Sequence, residues 1–185
     1  LNSLNISGLT EMNEFDCNNS LLPYLDLSEH TALNRFGAHY NSNLSWISLK
    51  NGRNEAGIEP YNNPNLRYIC ADESQAASLT QTLAANGVTN IQVNTYCDFV
   101  PGGLYNSVTG AVRLDTNNNG CDGSDLALSG MQVNINDGVT TGAAFTNAGN
   151  YVFDTQRPNI TLTPVFDHPY FNVSPATATL NFPVN

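Results

Sequence analysis

Apolar residues recur along the first seventy positions in the pattern L-x-x-L-x-L. Copies stand at Leu1/Leu4/Ile6, Leu22/Leu25/Leu27 and Leu44/Ile47/Leu49, with a weaker one at Leu66/Ile69/Ala71. They are spaced 21, 22 and 22 residues apart, and a second pattern is nested between them at Met12/Phe15/Cys17 and Leu33/Phe36/Ala38, again 21 apart. Alternate positions of a short strand face one side, and a strand this short cannot bury its apolar face alone. Stacked neighbours must complete the core, so the period predicts a repeat array with a strand at each copy. Cys17 falls on an inward position and reads as a small buried hydrophobe.

After Asn65 the period breaks. Residues 72 to 87 read as a helix. Asp72 and Glu73 sit where the macrodipole favours acids, Ala76, Ala77, Leu79 and Leu83 form an apolar stripe, and Gly87 stops it. A strand is predicted over Val88 to Val93. Such an αβ unit, about residues 66–100, covers an array end that would otherwise meet water. Val100-Pro-Gly-Gly103 reads as a linker. Beyond it, short alternating segments recur at Val108–Leu114, Met131–Ile135, Tyr151–Phe153, Ile160–Val165, Tyr170–Val173 and Ala178–Val184, separated by Gly, Asn, Asp and Pro. They predict a β-sandwich of about seven strands. The expected organisation is mainly β: a repeat solenoid with an αβ cap over 1–100, then a sandwich over 101–185.

The stretch Phe15-Asp-Cys17-Asn-Asn-Ser20-Leu-Leu-Pro-Tyr-Leu25-Asp26-Leu27-Ser28 resembles the nested leucine-rich repeat L-x-x-L-x-C-x-x-N-x-L-x-x-L-D-L-S of secreted surface proteins of the Bacteroidota, with Ser20 at the usual Asn. In the second half, Val108-Thr-Gly-Ala-Val-Arg-Leu-Asp115-Thr-Asn117-Asn-Asn119-Gly120 and Thr146-Asn-Ala-Gly149-Asn-Tyr151-Val-Phe153 resemble the B-type repeat domains of bacterial surface adhesins, whose sandwich is prealbumin-like. These resemblances imply a cell-surface, outer-membrane-associated protein exported by type IX secretion. They also imply paired cysteines in the cap, which match Cys70 and Cys97. Four cysteines (17, 70, 97, 121) allow three complete pairings, and sequence alone does not choose. The preferred bridge is Cys70 to Cys97, which would staple the cap shut; Cys121 is either free or a competitor for Cys97. A bridge implies an oxidising compartment.

Composition narrows the function classes. Six basic residues against sixteen acidic ones give a net charge of −10, with Lys50 the single lysine. Nucleic acid and anionic membrane surfaces both require clustered Lys and Arg, so neither is expected as a partner. Only 12% of residues are charged, and polarity comes instead from Ser, Thr and 28 Asn, which suits turns and strands. No apolar run of 18 residues is present to insert in a bilayer. The chain opens inside a repeat without a Met or a signal peptide, which reads as a piece of a longer protein.

Outward positions of the repeats are the candidate contact surface. The third residue of each principal strand forms the column Ser3, Tyr24, Trp46 and Tyr68, three aromatics suited to a sugar face or a protein hot spot. The bland alternative is ordinary strand surface, where aromatics are common. Glu14 and Arg35 on the nested strands read as a solvated ladder pair.

Asp115-x-Asn117-x-Asn119-Gly120 has the spacing of an EF-hand loop: oxygens at positions 1, 3 and 5 converge on one cation while Gly at position 6 allows the sharp turn. The carbonyl of Cys121 would add another oxygen. Gly123 and Leu126 replace the usual acids at positions 9 and 12, and Asp122 and Asp125 keep the three-residue interval one place early. A structural Ca2+ is therefore expected, with a metal-free Asx-rich turn as the alternative. The cysteines and the histidines (30, 39, 168) lack zinc spacing. The absence of lysine between 101 and 185 excludes an internal Lys–Asn crosslink.

No G-x-S-x-G, H-E-x-x-H or phosphate-cradling glycine loop occurs. The expected function is thus noncatalytic: protein–protein interaction or adhesion through the repeat surface, with the sandwich as spacer. Two alternatives stand beside it, a carbohydrate-binding adhesin using the aromatic column and a permanent subunit of a cell-envelope complex.

Overall fold

The computed structural model describes residues 1–99, 104–166, 168 and 170–183. The linker read at Val100–Gly103, and Val184 at the end of the last expected strand, lie outside the described residues. The chain is mainly β, with several open sheets and a single helix among the described residues. It divides into two compact units, Leu1–Pro101 and Gly102–Asn185.

In the first unit the strands are β1 (Glu14–Asp16), β2 (Tyr24–Asp26), β3 (Arg35–Gly37), β4 (Trp46–Leu49), β5 (Gly57–Glu59), β6 (Tyr68–Ala71) and β7 (Gln92–Asn94), with α1 (Glu73–Ala85) between the last two. All pairings are parallel and run in two ladders, β1-β3-β5 and β2-β4-β6-β7. Register aligns equivalent repeat positions: Phe15 with Phe36 with Ile58, and Leu25 with Ile47 with Ile69 with Val93. Phe36, Ile47 and Ile69 are fully buried.

Asparagine makes the turns after the nested strands possible. Asn41 Oδ1 accepts the backbone N–H of Ser20 at 2.7 Å, and its Nδ2 donates to the Cys17 carbonyl at 2.8 Å. One period later, Asn63 Oδ1 accepts Asn41 N–H at 2.8 Å and its Nδ2 donates to Ala38 O at 2.7 Å. Each side chain thus satisfies buried backbone groups of the preceding period, which would otherwise cost about 1–3 kcal/mol apiece.

Three features depart from the sequence expectation. The copy at Leu1/Leu4/Ile6 forms no strand: it makes one cross-period backbone bond, Leu21 N–H to Leu1 O at 2.7 Å, and Leu1 and Leu4 stay 61% and 39% exposed. The strand β5 was not foreseen because Glu55 occupies the place of Leu33. Its buried carboxylate is held by Asn51 Nδ2 at 2.8 Å and by Gln75 Nε2 from α1. Cys70, on the fifth position of the L-x-x-L-x-L copy that alternation would turn outward, is instead buried, and it forms the expected bond to Cys97 with their Cα atoms 5.4 Å apart.

The helix buries Gln75, Ala76, Leu79 and Leu83, while Ala77 is only half-buried. It ends on Gly87 at φ +76°, where Gly87 N–H bonds Ala84 O and Val88 N–H bonds Leu83 O, the paired closure that favours glycine.

The second unit contains β8 (Asn106–Ala111), β9 (Arg113–Leu114), β10 (Leu126–Ala127), β11 (Gln132–Asn136), β12 (Thr141–Phe145), β13 (Asn150–Thr155), β14 (Asn159–Val165) and β15 (Ala178–Asn181). Every pairing is antiparallel: β8 with β13, β9 with β10, and the run β12-β11-β14-β15. Val108, Val133, Ile135, Phe153, Ile160 and Leu162 are buried. Asp137-Gly138 turns β11 into β12, with Asp137 Oδ1 accepting Val139 and Thr140 N–H at 2.7 and 2.6 Å. Sequence reading missed β12, whose Thr-Gly-Ala-Ala-Phe carries little strand propensity. It also placed a strand at Tyr170–Val173, which is irregular and exposed. No helix among the described residues is long and apolar enough to cross a membrane.

Candidate functional site

The aromatic column is in register, Tyr24 beside Trp46 beside Tyr68, but it is not an open strip. Tyr24 is 59% exposed, Trp46 8% and Tyr68 1%. The end of β7 and the chain after it fold over the column's end: the Tyr68 hydroxyl shares its one proton between Asn94 Oδ1, at 2.6 Å, and the Tyr96 carbonyl, and Phe99 meets its ring edge-on at 5.5 Å. Trp46 lies 6.3 Å from the Tyr24 ring, and its indole N–H is buried without a partner. Tyr24 alone of the three ligand-binding candidates presents its ring to solvent. Sequence could not foresee this, because residues 94–99 carry no repeat signal that says where they pack.

The loop after β9 is a nest of Asx bonds. Asp115 Oδ1 accepts Asn118 N–H at 2.6 Å and Asn119 N–H at 3.3 Å, and Oδ2 accepts Gly120 N–H at 2.9 Å. Asn117 Oδ1 takes Asn119 N–H at 3.1 Å. Gly120 sits at φ +99°, the left-handed turn that position 6 requires. The hard oxygens of Asp115, Asn117 and Asn119 and the Cys121 carbonyl are the donor chemistry that calcium takes. Asp125 is turned to its own segment, its Oδ2 accepting Asp122 N–H at 2.8 Å, whereas Asp122 faces both ways: Oδ1 accepts Ser124 N–H and Oγ–H at 2.7 and 2.6 Å, and Oδ2 accepts Asn119 Nδ2–H of the loop at 3.3 Å. The Ser124 bonds hold the Asp122 carboxyl below the usual carboxylate range, against a smaller upward push from desolvation. Among the described residues, no group of three or more His, Cys, Asp or Glu side chains is placed to hold a metal. Cys121 is a free, exposed thiol and Cys17 a free, buried one.

Beside this loop a groove of about 670 Å³ opens in the second unit, lined in part by Arg113, Val133, Tyr151, Leu162 and Phe171. Tyr151 lies across Gly110, its partner on β8, where any Cβ would collide with the ring. Burial raises the Tyr151 hydroxyl above its ordinary pKa. Nothing in the pattern of the sequence marks this groove, since its walls come from strands far apart in the chain.

The outward face of β1-β3-β5 carries more chemistry than a solvated pair. Glu14 does align with Arg35, but the Arg35 guanidinium pairs with Glu59 of the next period, at 3.9 Å. Glu59 also meets His39 Nε2 at 3.3 Å. Asp16, Gly37 and Glu59 stand in register, and His39 packs its ring 5.9 Å from Tyr61 and 6.3 Å from Tyr40. The period of 21 to 22 residues could have located this array once β5 was recognised.

Comparison with protein-family models, curated proteins and solved structures finds no match for the chain.

Proposed function

We propose that this chain is a noncatalytic recognition segment of a secreted or surface-attached bacterial protein. Its first unit is read as a leucine-rich-repeat solenoid with an αβ cap, and its second as an adhesin-like β-sandwich that spaces or stiffens the chain. The observation that carries the reading is the register of the two parallel ladders, which sets equivalent residues of successive periods side by side on one surface. Rigid, repeated side-chain rows are what a repeat protein offers a partner. The Cys70–Cys97 disulfide supports an oxidising, extracytoplasmic setting, consistent with the type IX route implied by the resemblance.

A structural Ca2+ held by Asp115, Asn117, Asn119 and the Cys121 carbonyl belongs to the same proposal, and would stiffen the loop after β9. The burial of Trp46 and Tyr68 moves recognition away from the aromatic column and toward the β1-β3-β5 face. Permanent assembly into an envelope complex is the second reading, favoured by the exposed apolar side chains of Leu1, Leu4, Leu9 and Leu21 at one end of the first unit. Affinity capture from detergent-solubilised bacterial envelope, in calcium and in EDTA, tests the proposal. A stoichiometric protein or polysaccharide supports it, and an empty capture in both buffers contradicts it.

A further inference from the structure

Three outward rows cross the β1-β3-β5 ladder. Glu14, Arg35 and Gly57 form one, Asp16, Gly37 and Glu59 the next, and the chain continues in step to Asn18, His39 and Tyr61. Backbone bonds keep the third row aligned beyond the strands: Asn19 N–H reaches His39 O at 2.9 Å and Tyr40 N–H reaches Tyr61 O at 3.4 Å. Asn18 Oδ1 accepts His39 N–H at 2.7 Å, which fixes the third row further. Neighbouring side chains cover both glycines: the Asp16 carboxylate leans over Gly37 so closely that a Cβ there would strike it, and the Arg35 side chain lies against Gly57.

Each period has a left-handed residue directly after this row: Asn19 at φ 54°, Tyr40 at φ 59° and Asn62 at φ 60°. Asparagine tolerates that conformation, whereas a bulky aromatic is strained by it. Burial does not offset the strain, because Tyr40 is 60% exposed. The second period therefore holds a costly residue where its neighbours hold the cheap one, and the ring it presents stands 6.3 Å from the ring of His39, which itself meets Glu59.

The chemistry of the row selects a ligand class. Three carboxylates stand against one guanidinium, which disfavours anionic ligands. Glu59 is already shared between Arg35 and His39, which weakens its pull on a cationic peptide. What remains is a set of carboxylate acceptors and imidazole and guanidinium donors at strand spacing, about 4.8 Å apart, flanked by an open tyrosine ring. Hydroxyl groups that both donate and accept, on a ring with an apolar face that stacks on an aromatic, match that set.

We infer that Asp16, Arg35, His39, Glu59 and Tyr40 form a binding site for a neutral glycan built of hexopyranose rings. Tyr40 stacks on a sugar face, and Asp16 and Glu59 accept hydrogen bonds from its hydroxyl groups. The inference rests on the reading of the repeats as a recognition surface and goes beyond it by naming the ligand class and the face.

The experiment is a printed array of neutral and acidic glycans, with titration calorimetry on the strongest hit. Four proteins are compared: the intact chain, Tyr40→Asn, His39→Ala and Tyr24→Ala. Tyr40→Asn keeps the left-handed backbone, as Asn19 and Asn62 do, and removes only the ring. The expected result is binding to neutral hexose glycans that falls about tenfold or more in Tyr40→Asn, falls in His39→Ala and is unchanged in Tyr24→Ala. Melting of Tyr40→Asn should be equal to or above that of the intact chain. A blank array, a preference for acidic glycans, or undiminished binding by Tyr40→Asn overturns the site. If envelope capture depends on this face while the array is blank, the glycan assignment falls and the recognition reading stands.

Discussion

The two units solve the same problem, burying the apolar faces of very short strands, in opposite ways. In the first, each strand of three or four residues pairs in parallel with its counterpart one period away, and the coil turns are fastened by the side chains of Asn41 and Asn63. In the second, strands of up to seven residues pair antiparallel with partners at no fixed interval, β8 with β13 and β11 with β14, and turns are fastened by Asp and Gly. The first unit adds a covalent bond, Cys70 to Cys97, whereas both cysteines outside that bond are free. A periodic architecture lets one solution be copied, so any side chain that departs from the period stands out as chemistry. In the second unit no such reference exists, and site residues must be found by contact.

The largest expected break in that comparison is covalent. A Cys70→Ser/Cys97→Ser variant opens a cross-link over a sequence separation of 27. By the chain-entropy model it should lose about 3–4 kcal/mol. Emission of Trp46, the single tryptophan, reads the first unit in a urea titration, and an unchanged midpoint would mean that the cap is held by packing alone.

Next comes Asn41→Ala, which strands the Ser20 N–H and the Cys17 carbonyl in a buried turn. A loss of about 2–3 kcal/mol is expected on the same titration. Asn43→Ala, at an exposed position, should differ little from the intact chain.

For the second unit the proposed Ca2+ predicts a response to ions instead. With the modest affinity of extracellular calcium modules, calcium in excess should stabilise it by about 1–3 kcal/mol over EDTA. Amide exchange of β9 and β10 reads this directly, and identical protection in both buffers would remove the ion.

The smallest effect is local. Because Ser124 holds the Asp122 carboxyl below the usual range, the contribution of that carboxylate is complete at neutral pH and is lost as pH falls through the carboxylate range. A carbon-13 titration should place its midpoint below that of an unstructured aspartate. Ser124→Ala should move the midpoint up toward the ordinary value.

Sequence legibility follows the same contrast. The positions of β1, β2, β3, β4, β6 and α1 were readable, because Phe15, Leu25, Phe36, Ile47 and Ile69 hold a fixed interval and Gly87 marks a stop. Where a polar residue fills an apolar place, as Glu55 does, the interval is hidden although the coil is made; amide donors from Asn51 and Gln75 substitute for apolar contact. In the second unit, Val108, Ile135 and Phe153 marked strands but could not name partners, since antiparallel pairing leaves no interval. The aromatic column was legible as an alignment and illegible as a surface. Whether Tyr68 is open depends on Tyr96 and Phe99, which lie outside the repeat.

The central claim is that the outward face of β1-β3-β5 is the recognition surface. Its most direct test is envelope capture with the intact chain beside an Arg35→Ala/Tyr40→Asn variant, after the variant's melting curve has shown the fold intact. The account predicts a stoichiometric protein or polysaccharide bound to the intact chain and lost from the variant. A partner retained equally by both, or no partner on either, contradicts it.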